Sequence, residues 1–198
     1  ANLATVVGII IAAVVTSIVR SVGAEWTVQR LVKAGWRDLI EATERKQGRH
    51  RRLRMNSLLL RMIDRIGMMT PRLALIPSAD IAKVDLLRDL RNGMNTIDIQ
   101  QYRSKLPEQC RQAVDKVLDG VGAHYKALLR NRNDEAQADI DKRLLGAIDD
   151  AIAVILEHGS PAITRRPRLA LVALRFNLFP KAPPFELPPQ SQLELPQA

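Results

Sequence analysis

At 198 residues, with 30 Lys and Arg against 21 Asp and Glu and a formal net charge of +9, the chain can bury a real core and implies an anionic neighbour. Phospholipid headgroups, nucleic acid and an acidic partner all satisfy that charge. A single cysteine, Cys110, rules out an internal disulfide and with it a small secreted scaffold, so a reducing compartment is the easier fit.

The first predicted element is ANLATVVGIIIAAVVTSIV, residues 1–19, which contains no charged side chain. At about 1.5 Å per residue it makes a helix of roughly 28 Å, close to the ~30 Å hydrocarbon core of a bilayer. A cleaved signal peptide would carry a basic leading region, yet no Lys or Arg precedes Arg20. A buried soluble helix would show a polar stripe, whereas Asn2, Thr5, Thr16 and Ser17 are the only clearly polar side chains. The β-branched content leaves a strand pair open, although no Asn-Gly type of turn interrupts the run. A transmembrane helix over 1–20 fits best, with Gly8, Ala12, Ala13 and Thr16 small enough to let another helix approach closely.

Arg20, Arg30, Lys33 and Arg37 follow within about twenty residues, which by the positive-inside rule puts the C-terminal side in the cytoplasm. Trp26 suits the headgroup level or ordinary packing. The chain starts with Ala rather than Met, with nothing before the span to compare charges with, and reads as a piece of a longer protein.

Beyond the span the apolar residues recur at helical spacing. Val28, Leu31, Val32, Trp36, Leu39 and Ile40 continue the first helix as an amphipathic one ending near Gly48. Met55, Leu59, Met62, Ile63 and Ile66 mark a second helix, stopping before Pro71. Ile81, Val84, Leu87, Leu90, Met94 and Ile97 mark a third, starting at Ser78 or Asp80. Pro107 is placed to open a fourth, with Val114, Val117, Leu118, Val121, Tyr125 and Leu128 inward and Asn131 as a stop. A fifth runs from about Asp134 to Gly159 through Ile140, Leu144, Ile148, Ile152 and Ile155; a last one follows Pro167 through Leu171, Leu174 and Leu178. The prediction is an all-α chain: a transmembrane helix (1–20), a juxtamembrane helix and basic linker (21–54), a cytoplasmic helical bundle (55–179) and a disordered proline-rich tail (180–198). In that tail six of nineteen residues are proline, which favours extended chain.

Chemistry-bearing motifs are sparse. His50, His124 and His158 lie far apart, with no second ligand at i+3 or i+4, so no metal site is expected. Cys110 reads as a small residue on a helix face. Gly120 and Gly122 in GVGAH lack the preceding strand a dinucleotide site needs and point instead to close packing. Asp149 and Asp150 are adjacent and so face different directions on a helix. Neither an enzyme nor a cofactor is expected.

The densest signal is RKQGRHRRLR, where Arg45, Lys46, Arg49, Arg51, Arg52 and Arg54 put six cations in ten residues with no acid. Nucleic acid would be held by counterion release, but no aromatic stacking platform or zinc-finger or zipper pattern accompanies it. An anionic inner leaflet offers on the order of 1 kcal/mol per basic residue near its surface, decaying within a Debye length. A solvated linker is the plain alternative. With a span upstream, lipid outranks nucleic acid, and the predicted membrane-surface contacts are Arg20, Trp26 and the six cations of this cluster.

LLLRMIDRIGMMTPRLA (58–74), DLLRDLRNGMNTIDIQQYRSKLP (85–107) and LALVALRFNLFPKAPP (169–184) resemble the C-terminal part of the fusaric acid resistance family, the aromatic acid exporters of the bacterial inner membrane. The order also matches: last membrane helix, basic linker, helical cytoplasmic domain, closing NLFP segment. The resemblance implies an inner-membrane secondary exporter of fusaric acid, hydroxybenzoates or related carboxylates, with two sets of spans. It also implies a periplasmic membrane fusion protein and an outer-membrane channel as partners. One span cannot enclose a pathway, so transport would belong to a longer parent or a homo-oligomer. No substrate-binding residue carries over, since the span holds no ionisable group. The rival function is a single-span anchored domain that binds a protein partner.

Overall fold

The computed structural model describes residues 2–44, 51–73, 79–130 and 134–186, with side chains described at 5–13, 26–44, 56–69, 87–130 and 134–186. Among the described residues there are six α-helices, one 3-10 turn at Arg103–Lys105 and no strand. The helices are α1 (Asn2–Thr43), α2 (Arg51–Leu73), α3 (Ala79–Tyr102), α4 (Glu108–Leu129), α5 (Asp134–His158) and α6 (Pro161–Leu178). The all-α prediction holds.

Local chemistry sets several of the boundaries. Pro107 caps α4 rather than opening it, and Glu108 in the first turn sits favourably against the positive end of the helix dipole. Asp134 and Glu135 do the same for α5, whose last turn carries His158. Pro161 starts α6, where its missing N–H costs nothing, so this helix begins six residues before the predicted Pro167. Pro167 lies buried inside α6 and deprives only the Ile163 carbonyl of its partner, at a residue open to water. Likewise α2 runs through Pro71 to Leu73 instead of stopping short of it, because a proline in a last turn removes a single helical bond.

Five helices close a ring in which α1 packs on α4, α4 on α5, α5 on α6, α6 on α3, and α3 back on α1. α2 lies against α1 and α3. The core is built around α4, whose Val114, Val117, Leu118 and Val121 are fully buried. Each contributes roughly 1.5–3 kcal/mol relative to exposure. Leu144, Ile148 and Ile155 of α5 and Leu171 and Leu174 of α6 meet them, with Leu39 of α1 and Ile99 of α3 closing the other side. A satellite cluster of Ala42, Leu58 and Ile97 ties α1, α2 and α3 together.

The long first helix is therefore a structural member of the bundle at its C-terminal end. It ends at Thr43 rather than near Gly48, and the reason is tertiary. The Thr43 carbonyl accepts a buried hydrogen bond from Gln100 Nε2 of α3 (3.0 Å), and the Thr43 hydroxyl bonds back to the Ile40 carbonyl (2.7 Å). The two glycines of GVGAH are packing glycines. A Cβ on Gly120 would meet Leu144 Cδ1 at 2.8 Å, and one on Gly122 would meet Thr43 Oγ1 at 2.9 Å, so α4 approaches α5 and α1 closely at those points.

The predicted tail needs correction over its first residues. After Phe179 the chain turns, the Ala182 N–H bonding the Phe179 carbonyl at 3.0 Å. Arg175 then donates to the Pro183 carbonyl (2.8 Å), and Phe185 packs on the core. An aromatic side chain and a guanidinium thus hold 180–186 to the bundle despite their prolines. Residues 187–198 lie outside the described part.

Candidate functional site

Two sets of polar groups stand out in the bundle, those bonded to another helix and a row on α1 that faces outward. In the first set, Asp89 of α3 joins α1 to α4, accepting from Trp36 Nε1 at 2.9 Å and from the Tyr125 hydroxyl at 3.0 Å. Tyr125 is buried, and its hydroxyl accepts in turn from Asn92 Nδ2 at 3.0 Å. Burial and the nearby Asp89 carboxylate hold its pKa well above the usual tyrosine value. Asp38 of α1 bonds Arg65 of α2 at 2.5 Å, with Arg61 reaching Glu41 at 2.8 Å and Asp38 at 3.7 Å.

Three further links complete this set. Arg103 clasps Asp115 in a two-pronged pair whose hydrogen bond raises the guanidinium pKa. Arg175 takes Asp149 (2.6 Å), while Asp150 is exposed, so the two adjacent carboxylates do face different ways. His124 Nδ1 lies 2.6 Å from Asp141 Oδ1, which also accepts from Gln137 Nε2 at 2.8 Å; one carboxylate oxygen ties the ring to α5.

The second set lies on α1. Trp26, Gln29, Arg30, Lys33 and Arg37 line an open groove of about 220 Å³. Trp26 is 62% exposed, and the Arg30 guanidinium stands 5.5 Å from its ring centre. The positions 26, 30, 33 and 37 advance by four, three and four residues, which places them on one face of a helix. Among the described residues no carboxylate pairs with these three cations. The signal was present in the sequence as a basic stripe continuing from a tryptophan.

Toward the N-terminus the same helix changes character. Val6, Val7, Ile9, Ile10 and Ile11 are all about half exposed or more and at 100° per residue spread over rather more than half of the helix circumference, the remaining arc carrying Thr5, Gly8 and Ala12. Gly8 has nothing within 4 Å of where a Cβ would stand, and Ala12 is also exposed. Among the described residues no helix is long and apolar enough to cross a membrane. The described apolar side chains at 5–13 amount to about half the ~20 residues a crossing needs.

The remaining predicted contacts are placed as follows. Thr16 and Arg20 lie on α1 with side chains outside the described part. Arg45, Lys46 and Arg49 fall outside it altogether, as does His50. Arg51, Arg52 and Arg54 lie at the start of α2, with side chains outside the described part. Cys110 is buried, its thiol directed at the Val154 carbonyl (3.7 Å) and pushed up in pKa by burial, which fits a packing role. Among the described residues no group of His, Cys, Asp or Glu is placed to hold a metal ion.

The fold is a helical bundle carried on a long helix with an apolar, exposed N-terminal part. The profile of the fusaric acid resistance protein family matches residues 1–185, nearly the whole chain, and the chain belongs to that family. Membership makes it a membrane protein of an efflux family, in agreement with the resemblance seen in the sequence. No curated protein and no solved structure matches it at a significant level.

Proposed function

We propose that this chain supplies a membrane span and the cytoplasmic helical domain of an inner-membrane exporter of aromatic carboxylic acids such as fusaric acid or hydroxybenzoates. The observation that carries the reading is the continuity of α1. One unbroken helix begins with exposed, mostly apolar and uncharged side chains and ends with Leu39 and Ala42 fully buried in the bundle. At about 1.5 Å per residue its 42 residues run some 60 Å, enough for a crossing plus the packed segment. Movement of the span is then transmitted to α2, α3 and α4 without an intervening hinge.

The orientation follows from Arg20, Arg30, Lys33 and Arg37 on one side of the apolar run. Gly8, Ala12 and Thr16 supply a small-residue face for a neighbouring span, from a longer parent or a second copy. Arg45, Lys46, Arg49, Arg51, Arg52 and Arg54 come after the cytoplasmic end of α1, which leaves contact with the anionic leaflet to Arg20 at the end of the apolar run. A periplasmic membrane fusion protein and an outer-membrane channel complete the export route. The bundle acts in assembly and regulation and carries out no chemistry of its own, without cofactor or metal.

A second reading has its own observation. Leu169, Val172 and Phe176 form an exposed apolar stripe on α6, Phe176 being 72% exposed, as expected of a single-span anchored domain that docks another protein. The deciding experiment is an immunoblot of native membranes with an antibody to the region after Arg54, paired with fusaric acid accumulation in cells lacking the protein. The exporter reading expects a membrane band several times heavier than 22.1 kDa and raised accumulation. A membrane band near 22.1 kDa with unchanged accumulation establishes the anchored domain instead.

A further inference from the structure

We propose that the groove on α1 formed by Trp26, Gln29, Arg30, Lys33 and Arg37 is a binding site for a soluble aromatic carboxylate. The inference rests on the exporter reading for its ligand class and adds a location that the family match does not give. Three observations meet there.

The first is charge. Asp38 and Glu41 on the same helix are met by Arg61 and Arg65, and Asp115 and Asp149 each have their arginine. By contrast Arg30, Lys33 and Arg37 have no carboxylate partner among the described residues, although they follow one another at intervals of one helical turn. Like charges so placed repel, and a bound anion relieves that repulsion. The second is shape. The groove runs along one face of a single helix and is open to solvent, and its volume of about 220 Å³ leaves room for a single ring beside Trp26. Trp26, largely exposed even with Arg30 beside it, offers a flat surface for an aromatic ring, and Gln29 offers an amide for a ring substituent.

The third is position, and it decides between a soluble acid and a lipid headgroup. Arg30 lies eleven residues past Val19 and Arg37 eighteen, which on a continuous helix is about 16 and 27 Å beyond the end of the apolar run. The headgroup layer is only about 5–7 Å thick on each side, and a tilt of up to ~40° still leaves Arg30 about 12 Å out. Lipid phosphate is therefore out of reach of Lys33 and Arg37. An acid on the cytoplasmic side would be collected there, its carboxylate between Lys33 and the two arginines and its ring on Trp26, next to the helix that enters the membrane.

The test uses the full chain in phosphatidylcholine nanodiscs and equilibrium dialysis with radiolabelled fusaric acid. The expected result is saturable binding of one acid per chain, with no competition from the neutral amide of the same ring. Binding weakens tenfold or more in the Arg30→Gln, Lys33→Gln, Arg37→Gln triple variant. It weakens several-fold in Trp26→Ala and is largely kept in Trp26→Phe. Unchanged circular dichroism and melting show that these exposed substitutions leave the fold intact. Fusarate binding that survives the triple variant overturns the site. So does an absence of fusarate binding together with retention on phosphatidylglycerol discs that the triple variant abolishes, which would make the groove a lipid contact. If loss of the protein sensitises cells to fusaric acid while the groove variants change neither binding nor resistance, the site fails and the exporter reading stands. If the wild type binds no aromatic acid and its loss leaves sensitivity unchanged, the exporter reading fails as well.

Discussion

Two faces of α1 carry charge, and they are treated differently. Toward α2, Asp38 and Glu41 are matched by Arg65 and Arg61 across a short distance, with Asp38 itself buried. Toward the outside, Arg30, Lys33 and Arg37 stand beside Trp26 with no acid to meet them among the described residues. The first arrangement fixes how two helices cross, since a partly buried pair is costly to break from one side. The second faces solvent and joins no two helices, so it is free to meet a ligand. A +9 total could not separate these roles; the helix packing does.

Substitutions can sharpen that contrast, and the interior sets the upper end of the scale. Leu118→Ala, at the centre of α4 with no exposed surface, should cost about 3–4 kcal/mol, read as a lowered midpoint in thermal or urea unfolding. Gly122→Ala should cost about 1–3 kcal/mol, because the new methyl meets the stiff Thr43 side chain at the α1–α4 crossing. Tyr125→Phe removes the hydrogen bonds of the Tyr125 hydroxyl to Asn92 Nδ2 and Asp89 Oδ1, for about 1–2 kcal/mol in the same assay. On the paired face, Asp38→Ala strands the mostly buried Arg65 and should cost about 1 kcal/mol. On the unpaired face, the triple change Arg30→Gln, Lys33→Gln, Arg37→Gln should move stability by less than about 0.5 kcal/mol. A large loss there would break the comparison by showing that the outer charges also hold the fold.

Alkaline pH probes the interior from another side. In the folded chain the Tyr125 hydroxyl keeps its proton well above the ordinary value of 10.0, and the Cys110 thiol above its ordinary 9.0, both held chiefly by burial. The unfolded chain releases those protons first. Their contribution is therefore complete below about pH 9 and is lost as pH rises, at up to about 1.4 kcal/mol per unit for each group between its unfolded and folded values. Unfolding followed from pH 8 to 11 should show this fall, and Tyr125→Phe should make it shallower.

Much of the architecture was legible because helices announce themselves through local spacing. The inward positions expected for α4, from Val114 to Tyr125, are buried, and the starts of α3 and α5 fall at or beside the predicted residues. Prolines misled at both ends: Pro71 and Pro167 read as barriers, yet each removes only one helical bond, and around Pro167 the burial of Thr164, Ala170, Leu171 and Leu174 outweighs that loss. The tail misled for a related reason, since Phe185 and the Arg175 bond act across space on residues whose composition alone favours extended chain. Of the candidate contacts, Trp26 proved to belong with Arg30, Lys33 and Arg37 in one groove, a grouping visible as helical spacing once the helix is known to be unbroken.

By itself, then, the sequence determined that this is a helical chain with an apolar leading run, a surplus of positive charge and the imprint of an efflux family. Those are properties of periodicity, composition and residue order, each read over a short window. Only the tertiary structure decided which charges are neutralised and which remain available, and where α1 stops. Asp149 and Arg175 stand 26 positions apart, Trp36 and Asp89 53, and Thr43 and Gln100 57. A hydrogen bond or ion pair acts only over a few ångströms, so partners so far apart along the chain are chosen by how the helices cross.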